Sequence, residues 1–112
     1  MIKLAVFLNA REDLERERFW EWWNVSHKEM VRRFPGLRKY CINWAVESPF
    51  TSEGVLPWDG FAELWFDDQN AAEEAYRSTQ AKDATSDTKA HTSRVLRILV
   101  EETEVVPIVD DE

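Results

Sequence analysis

The chain has 112 residues, of which 14 are basic and 22 acidic, so its formal net charge is −8. This length fits a single domain, and the acidic balance argues against nucleic acid and anionic membrane surfaces as partners. Cys41 is the only cysteine, so no disulfide can form within the chain and a reducing cytoplasm is the expected location. No apolar run predicts a signal peptide or a membrane span.

The first half of the chain predicts a strand, a helix and a second strand. Residues 2–8 are apolar except for Lys3, a pattern typical of a strand that is covered on both faces. Asp13 suits the N-cap of a helix that runs to about Phe34, where the following Pro-Gly pair ends it. Residues 38–46 then predict the second strand.

A loop and a second strand-helix pair follow. Residues 47–58 hold two prolines and a glycine, which favours a loop. Residues 60–66 predict the third strand, after which Asp67 or Asp68 would cap a second helix that ends near Thr79.

The remainder completes the predicted fold. Residues 80–93 are polar and fit either a loop or a short extra helical turn. Residues 95–105 predict the last strand, and residues 108–112 an acidic, flexible tail. The order β-α-β-β-α-β predicts an α+β, ferredoxin-like domain over residues 1–107, with a four-stranded antiparallel sheet and two helices on one face.

The apolar character of both strand faces predicts a partner. With both helices on one side, the other sheet face would be left to water. Yet Ala5 and Phe7 are apolar, as are Leu4 and Val6 on the opposite side. The expected cover is the same face of a second copy, joined in a symmetric homodimer.

A histidine lies in an aromatic stripe of the first helix. Steps of four, four, three and four residues place five side chains on one helix face: Phe19, Trp23, His27, Met30 and Phe34. Burial would disfavour the charged imidazole and lower its pKa unless a carboxylate offsets this. His27 is then either a core histidine with one satisfied hydrogen bond or a neutral base in an apolar pocket.

Two further side chains are candidates for this site. Tyr40, at the start of the second strand, could donate a hydrogen bond to a substrate carbonyl or to His27, or could be an ordinary tyrosine at the core edge. Glu63 lies between two aromatic residues, so it should be buried, either paired with an arginine such as Arg97 or acting in the site. His91 lies among polar residues and is expected to be exposed.

The predicted site therefore has His27 and Tyr40 as catalytic residues. Its substrate-binding residues are Phe19, Trp23, Met30 and Glu63. Neither a metal nor another cofactor is expected, because the two histidines lack ligand spacing and no glycine loop could hold a phosphate.

Several segments, in order, resemble the EthD family of the dimeric α+β barrel superfamily. The matching segments span about residues 1–105 and are Met1–Leu8, Phe19-Trp20-Glu21-Trp22-Trp23 followed by His27, Phe34–Tyr40, Asp59–Phe66 and Val100-Glu101-Glu102. The resemblance implies a ferredoxin-like protomer, a homodimer with its two sheets face to face, and a cavity between helix and sheet near the histidine. Family members occur beside genes for degrading ethers or aromatic compounds, or in polyketide-type pathways.

Lactone isomerases of the same superfamily are a more distant resemblance. His27 and Tyr40 match their helix histidine and strand tyrosine. Those enzymes add a second histidine and a cysteine, whereas this chain has no histidine in residues 47–58 and has Leu64 where the cysteine would fall. This departure argues against the same isomerisation.

Three interpretations remain at this point. The favoured one is a cofactor-independent enzyme that acts on a small apolar, cyclic or aromatic metabolite by isomerisation, dehydration or oxygenation, with His27 as the general acid or base. The second is a non-catalytic module that holds a hydrophobic intermediate for a partner oxidoreductase. The third is a structural dimer whose histidine is a packed core group. A pocket for binding and a pocket for turnover are lined alike, so the sequence does not separate them.

Overall fold

Four antiparallel strands form one sheet in the computed structural model, which describes residues 1–109. The strands are β1 (Ile2–Ala10), β2 (Lys39–Trp44), β3 (Gly60–Phe66) and β4 (Thr92–Glu101). Their order across the sheet is β2-β3-β1-β4. This arrangement confirms the predicted ferredoxin-like α+β fold. Of the predicted tail, residues 110–112 lie outside the described residues.

Three helices pack on the sheet, where the sequence predicted two. The first, α1, is continuous through Arg16–Glu21, Trp22–His27 and Lys28–Val31, and its middle part is π-helical. The others are α2 (Gln69–Arg77) and α3 (Thr79–His91), and a short 3₁₀ turn covers Ser52–Gly54. No helix of the described chain is long and apolar enough to cross a membrane.

The start of α1 differs from the prediction. Glu15 occupies the N-cap position and its side chain makes no cap hydrogen bond. Asp13, the predicted cap, instead pairs with Arg11. The Asp13 carboxylate, which the sequence pattern assigned to the helix N-terminus, therefore forms a local ion pair instead.

The π-helical turn decides which residues of α1 are buried. A four-residue step overshoots one α-helical turn of 3.6 residues and falls short of the wider π turn, whose hydrogen bonds run from i to i+5. The two deviations offset each other, and residues at four-residue spacing stay in line: Phe19, Trp23, His27 and Val31 are all buried. Met30, predicted to lie on this face, is only half-buried.

The third helix occupies the segment that the sequence left open. Ser78 ends α2, and its hydroxyl accepts a hydrogen bond from the Ala81 amide, which caps α3. The buried residues of α3 are Ala81, Ala84 and Thr88. Because these side chains are small or polar, the hydrophobic pattern of the sequence does not reveal the helix. With α3 extending to His91, β4 begins at Thr92, three residues before the predicted strand.

The two faces of the sheet have different surroundings. On the helix face, alternate residues of β1 and β3 form the core with the helices: Leu4, Val6, Leu8, Ala62, Leu64 and Phe66. On the opposite face, which we call the open sheet face, the rings of Phe7 and Phe61 stack with centroids 5.1 Å apart. Leu96 and Ile98 also lie there and are 43% and 44% exposed. The open sheet face thus carries apolar side chains that are only partly covered in the protomer, beside polar ones such as Lys3 and Glu63.

Candidate functional site

A small, partly open cavity lies between the helices and the helix face of the sheet. Its volume is about 30 Å³, enough for one or two water molecules. The wall is mostly apolar, and its polar side chains are His27, Tyr40, Tyr76, Thr85, Thr88 and Arg97. Within the part of the chain that the structure describes, no carboxylate lines the cavity.

His27 is held in one orientation by a carboxylate from α3. Its side chain is 6% exposed, and Nδ1 lies 2.8 Å from Asp87 Oδ2. An ionised carboxylate only accepts hydrogen bonds, so Nδ1 carries the proton and Nε2 keeps its lone pair in the neutral ring. This arrangement, which we call the His27–Asp87 dyad, leaves Nε2 as the basic atom of the site.

The Thr88 hydroxyl contacts His27 Nε2. Its Oγ1 lies 3.2 Å from His27 Nε2 and also donates to the backbone oxygen of Ala84 at 3.0 Å. A hydroxyl has one proton, so it cannot donate to both acceptors at once. While it donates to Ala84, the Nε2 lone pair remains available to a ligand in the cavity.

The pKa of His27 reflects two opposed effects. Burial lowers it below its ordinary value and is the largest influence, while the hydrogen bond and charge of Asp87 raise it and His91 lowers it slightly. The net direction is downward. The ring is therefore neutral near pH 7, as a general base must be before it accepts a proton.

Asp87 is the centre of a wider cluster. Trp22 Nε1 donates to the same carboxylate oxygen at 3.0 Å. The Trp22 ring stacks with both histidines, with centroid distances of 4.5 Å to His27 and 4.4 Å to His91. His91 Nδ1 lies 2.8 Å from the Asp87 backbone oxygen. His91, predicted to be exposed, is thus half-buried on an indole ring.

Tyr40 also lines the cavity, from strand β2. Among the described residues its hydroxyl is buried without a partner in hydrogen-bond geometry, so it does not bond His27. Burial raises its pKa well above the ordinary range, with a small opposing effect from the nearby Trp23. A neutral hydroxyl with no acceptor is a donor available to a ligand oxygen.

The four residues predicted to bind substrate occupy different places. Trp23 lines the cavity, whereas Phe19 is fully buried behind it, against Trp22 and Trp44. Met30 does not contribute to the cavity wall, and Val31 does. Glu63 lies on the open sheet face, because side chains alternate along β3 and its neighbours Ala62 and Leu64 face the helices.

Glu63 also has partners other than the arginine that the sequence suggested. Its carboxylate accepts from Lys3 Nζ at 3.0 Å and from Asn43 Nδ2 at 2.9 Å. Arg97 extends from the helix face of β4, so the sheet separates the two side chains. Glu63 therefore lies outside the cavity where it was predicted to bind substrate, and its charged partner is a lysine instead of Arg97.

The sequence missed Asp87, Thr88 and the stacking role of His91. All three belong to the segment whose secondary structure was left open. The four-residue spacing of Asp87 and His91 is the one signal that could have placed them on a single helix face. Across residues 1–109, His, Cys, Asp and Glu side chains form no group of three that could hold a metal ion.

The fold and cavity define a ferredoxin-like domain in which a buried histidine, paired with a half-buried carboxylate, lies beside a mostly apolar cavity. Residues 11–100 match the EthD domain, so the chain belongs to the EthD domain family. This confirms the resemblance found in the sequence.

Solved structures support the same fold. An ethyl tert-butyl ether D family protein from Bacillus halodurans superposes with a TM-score of 0.80 at 24% identity, over 92% of this chain and 99% of that one. A dimeric ferredoxin-like protein of unknown function from Bacteroides fragilis gives 0.68 at 16% identity, over 90% and 95%. SnoaB, a cofactor-independent oxygenase from Streptomyces nogalater, gives 0.69 at 10% identity, over 96% and 97%. No curated protein sequence matches significantly.

Proposed function

We propose that this protein is a cofactor-independent enzyme that moves a proton on a small apolar, cyclic or aromatic metabolite. His27 is the general base, Asp87 positions it, and Tyr40 donates a hydrogen bond to the substrate. The observation that carries this proposal is the convergence of the His27–Asp87 dyad and the unpartnered Tyr40 hydroxyl on one cavity.

The chemistry that these groups support is proton abstraction next to a carbonyl. His27 Nε2 removes the proton, while the Tyr40 hydroxyl stabilises the negative charge that develops on the carbonyl oxygen. Return of the proton at another carbon gives an isomerisation, and loss of a hydroxyl group gives a dehydration. In an oxygenation, the carbanion would react with dioxygen.

The cavity must widen for such a ligand. Its volume of about 30 Å³ is far below the roughly 300–1,000 Å³ of typical small-molecule pockets. Arg97 is the lining side chain with the most freedom, since it is exposed on an edge strand. Movement of Arg97 would open the cavity toward solvent without disturbing the core.

A binding module without catalysis is the second candidate. The contact of Thr88 with Nε2 favours it, because a hydroxyl that donated to Nε2 would occupy the lone pair that a base needs. In that case the cavity would hold a hydrophobic intermediate for a partner oxidoreductase.

Deuterium exchange separates the two candidates. We expect the protein to accelerate exchange of the α-protons of β-tetralone in D₂O, followed by proton NMR, because the dyad provides a neutral base. His27→Asn should reduce the rate to that of buffer. Glu29→Gln, on the same helix but outside the cavity wall, is the control and should keep the parent rate.

The results distinguish three cases. Exchange that persists in His27→Asn would contradict the proposed base. Binding of β-tetralone without exchange would favour the binding module. Tyr40→Phe should slow exchange by about 10- to 100-fold if its hydroxyl stabilises the developing charge.

We further propose that two copies of the chain pair through the open sheet face, as the sequence predicted. Light scattering should give about twice the 13.2 kDa chain mass. Ile98→Glu should yield a monomer, because Ile98 is 44% exposed in the protomer and a charge there would be buried only on pairing. Val25→Glu, 61% exposed on α1, should leave the dimer intact. A parent protein that is monomeric at micromolar concentration would contradict this assembly.

A further inference from the structure

Arg97 places a positive charge at a cavity that has no negative one. On β4 it pairs in register with Val6, whose side chain belongs to the core, so Arg97 lies on the helix face and lines the cavity. Within residues 1–109 it forms no ion pair, although the chain carries 22 acidic side chains. Arg97 is exposed on the edge strand β4, so a guanidinium that no carboxylate of residues 1–109 neutralises is accessible to an anionic ligand.

A second donor, Tyr40, lies on the strand at the other edge of the sheet. Across the sheet from β4 to β2, Arg97 pairs in register with Val6, and Val6 pairs with Ala62. Ala62 pairs with Ile42, which is two residues after Tyr40 on β2. Three strand spacings separate β4 from β2, or roughly 14 Å. Both side chains nevertheless line the same cavity.

Tyr76 is a third polar side chain of the cavity wall. The nearby Arg97 stabilises its ionised form and so partly offsets the rise in the Tyr76 pKa that burial causes. The charge of Tyr76 would also raise the pKa of Tyr40. All three groups line the same cavity. None of them is an obligate acceptor, so the cavity presents an excess of donors to a ligand.

From this arrangement we infer that the ligand of the cavity is a carboxylate: a small apolar molecule whose anionic end binds Arg97 and whose other end reaches Tyr40 and His27. A planar guanidinium matches a carboxylate in a two-point hydrogen-bonded pair. The inference rests on the proposed function in one respect, that the ligand binds in the cavity beside His27. The inference adds that the ligand is negatively charged and that its charged end lies at Arg97.

Benzoate and benzamide provide the test, since they share a shape and differ in charge. We expect calorimetry at low salt to give at least about tenfold tighter binding for benzoate, because a charge-assisted hydrogen bond to Arg97 is lost in the amide. Arg97→Gln should remove this preference. Arg33→Gln removes the same charge from an exposed position at the end of α1 and should retain it.

The outcomes separate this inference from the proposed function. Equal affinity for both probes, or a benzoate preference that survives in Arg97→Gln, would overturn the carboxylate proposal. If both probes still shift the His27 ring signals in NMR spectra, the cavity remains the ligand site. If neither probe shifts them, both proposals fail.

Discussion

Replacement of Asp87 by Asn is expected to lower the pKa of His27 further and to destabilise the fold. The carboxylate is the group that opposes the effect of burial on the imidazole, and Asn supplies no charge to replace it. Asp87 also accepts from both His27 and Trp22, so two charge-assisted hydrogen bonds become neutral ones. We expect a loss of about 1.5–3 kcal/mol in the free energy of unfolding, and slower proton exchange on β-tetralone.

The same variant should be more sensitive to acid. In the parent, the pKa of His27 is lower in the folded state than in the unfolded chain, where it is about 6.5. Between these two values the unfolded state binds more protons, so stability is full above pH 6.5 and falls as the pH drops toward the folded pKa. Without Asp87 the folded pKa is lower still, and the window of acid destabilisation widens.

Histidine NMR titration and urea unfolding between pH 4 and 8, at one protein concentration, measure both effects. Asp83→Asn is the matched control, because Asp83 is exposed one turn earlier on α3. An Asp87→Asn protein with an unchanged His27 pKa would show that the dyad does not set the basicity of the site.

Gly60→Ala is expected to have the largest effect on stability. A Cβ at this position would collide with the backbone oxygen of Asn43 and would lie 2.8 Å from the Trp23 ring. Neither neighbour can yield, because Asn43 belongs to the β2–β3 pairing and Trp23 is 1% exposed. Overpacking against two fixed groups should cost on the order of 3 kcal/mol. Trp23 lines the cavity, so ligand binding should weaken as well.

Gly54→Ala provides the comparison for this prediction. Gly54 has a φ of 71°, and a Cβ added there would meet no atom within 4 Å, so Ala at this position meets only backbone strain of about 1 kcal/mol. Urea unfolding of both variants beside the parent isolates the steric part. A Gly60→Ala loss no greater than that of Gly54→Ala would mean that β2 and Trp23 can adjust.

Residue spacing was sufficient to predict the order of strands and the histidine-bearing helix face. Alternating apolar residues in β1 and β3 specify which side chains face the core, because a strand has a period of two. The Asp68 cap marks a helix boundary through local backbone chemistry alone, since its side chain accepts from the Ala71 amide. The end of α1 was predicted less well, because the helix ends at Val31, three residues before the predicted end at Phe34. His27 could therefore be placed on the core-facing side of the first helix, where the structure shows it buried.

Tertiary structure decided what the histidine can do. Asp87 lies 60 residues from His27 along the chain, on a helix whose buried side chains are alanine and threonine, so neither distance nor hydrophobic pattern pointed to it. The π-helical turn replaced Met30 by Val31 in the cavity wall, a change that apolar spacing cannot reveal because both residues are apolar. The spacing of apolar residues along the sequence determines which side chains are buried. The partner that a buried polar group finds depends on which elements the fold packs against it, and here that partner sets the tautomer and basicity of His27.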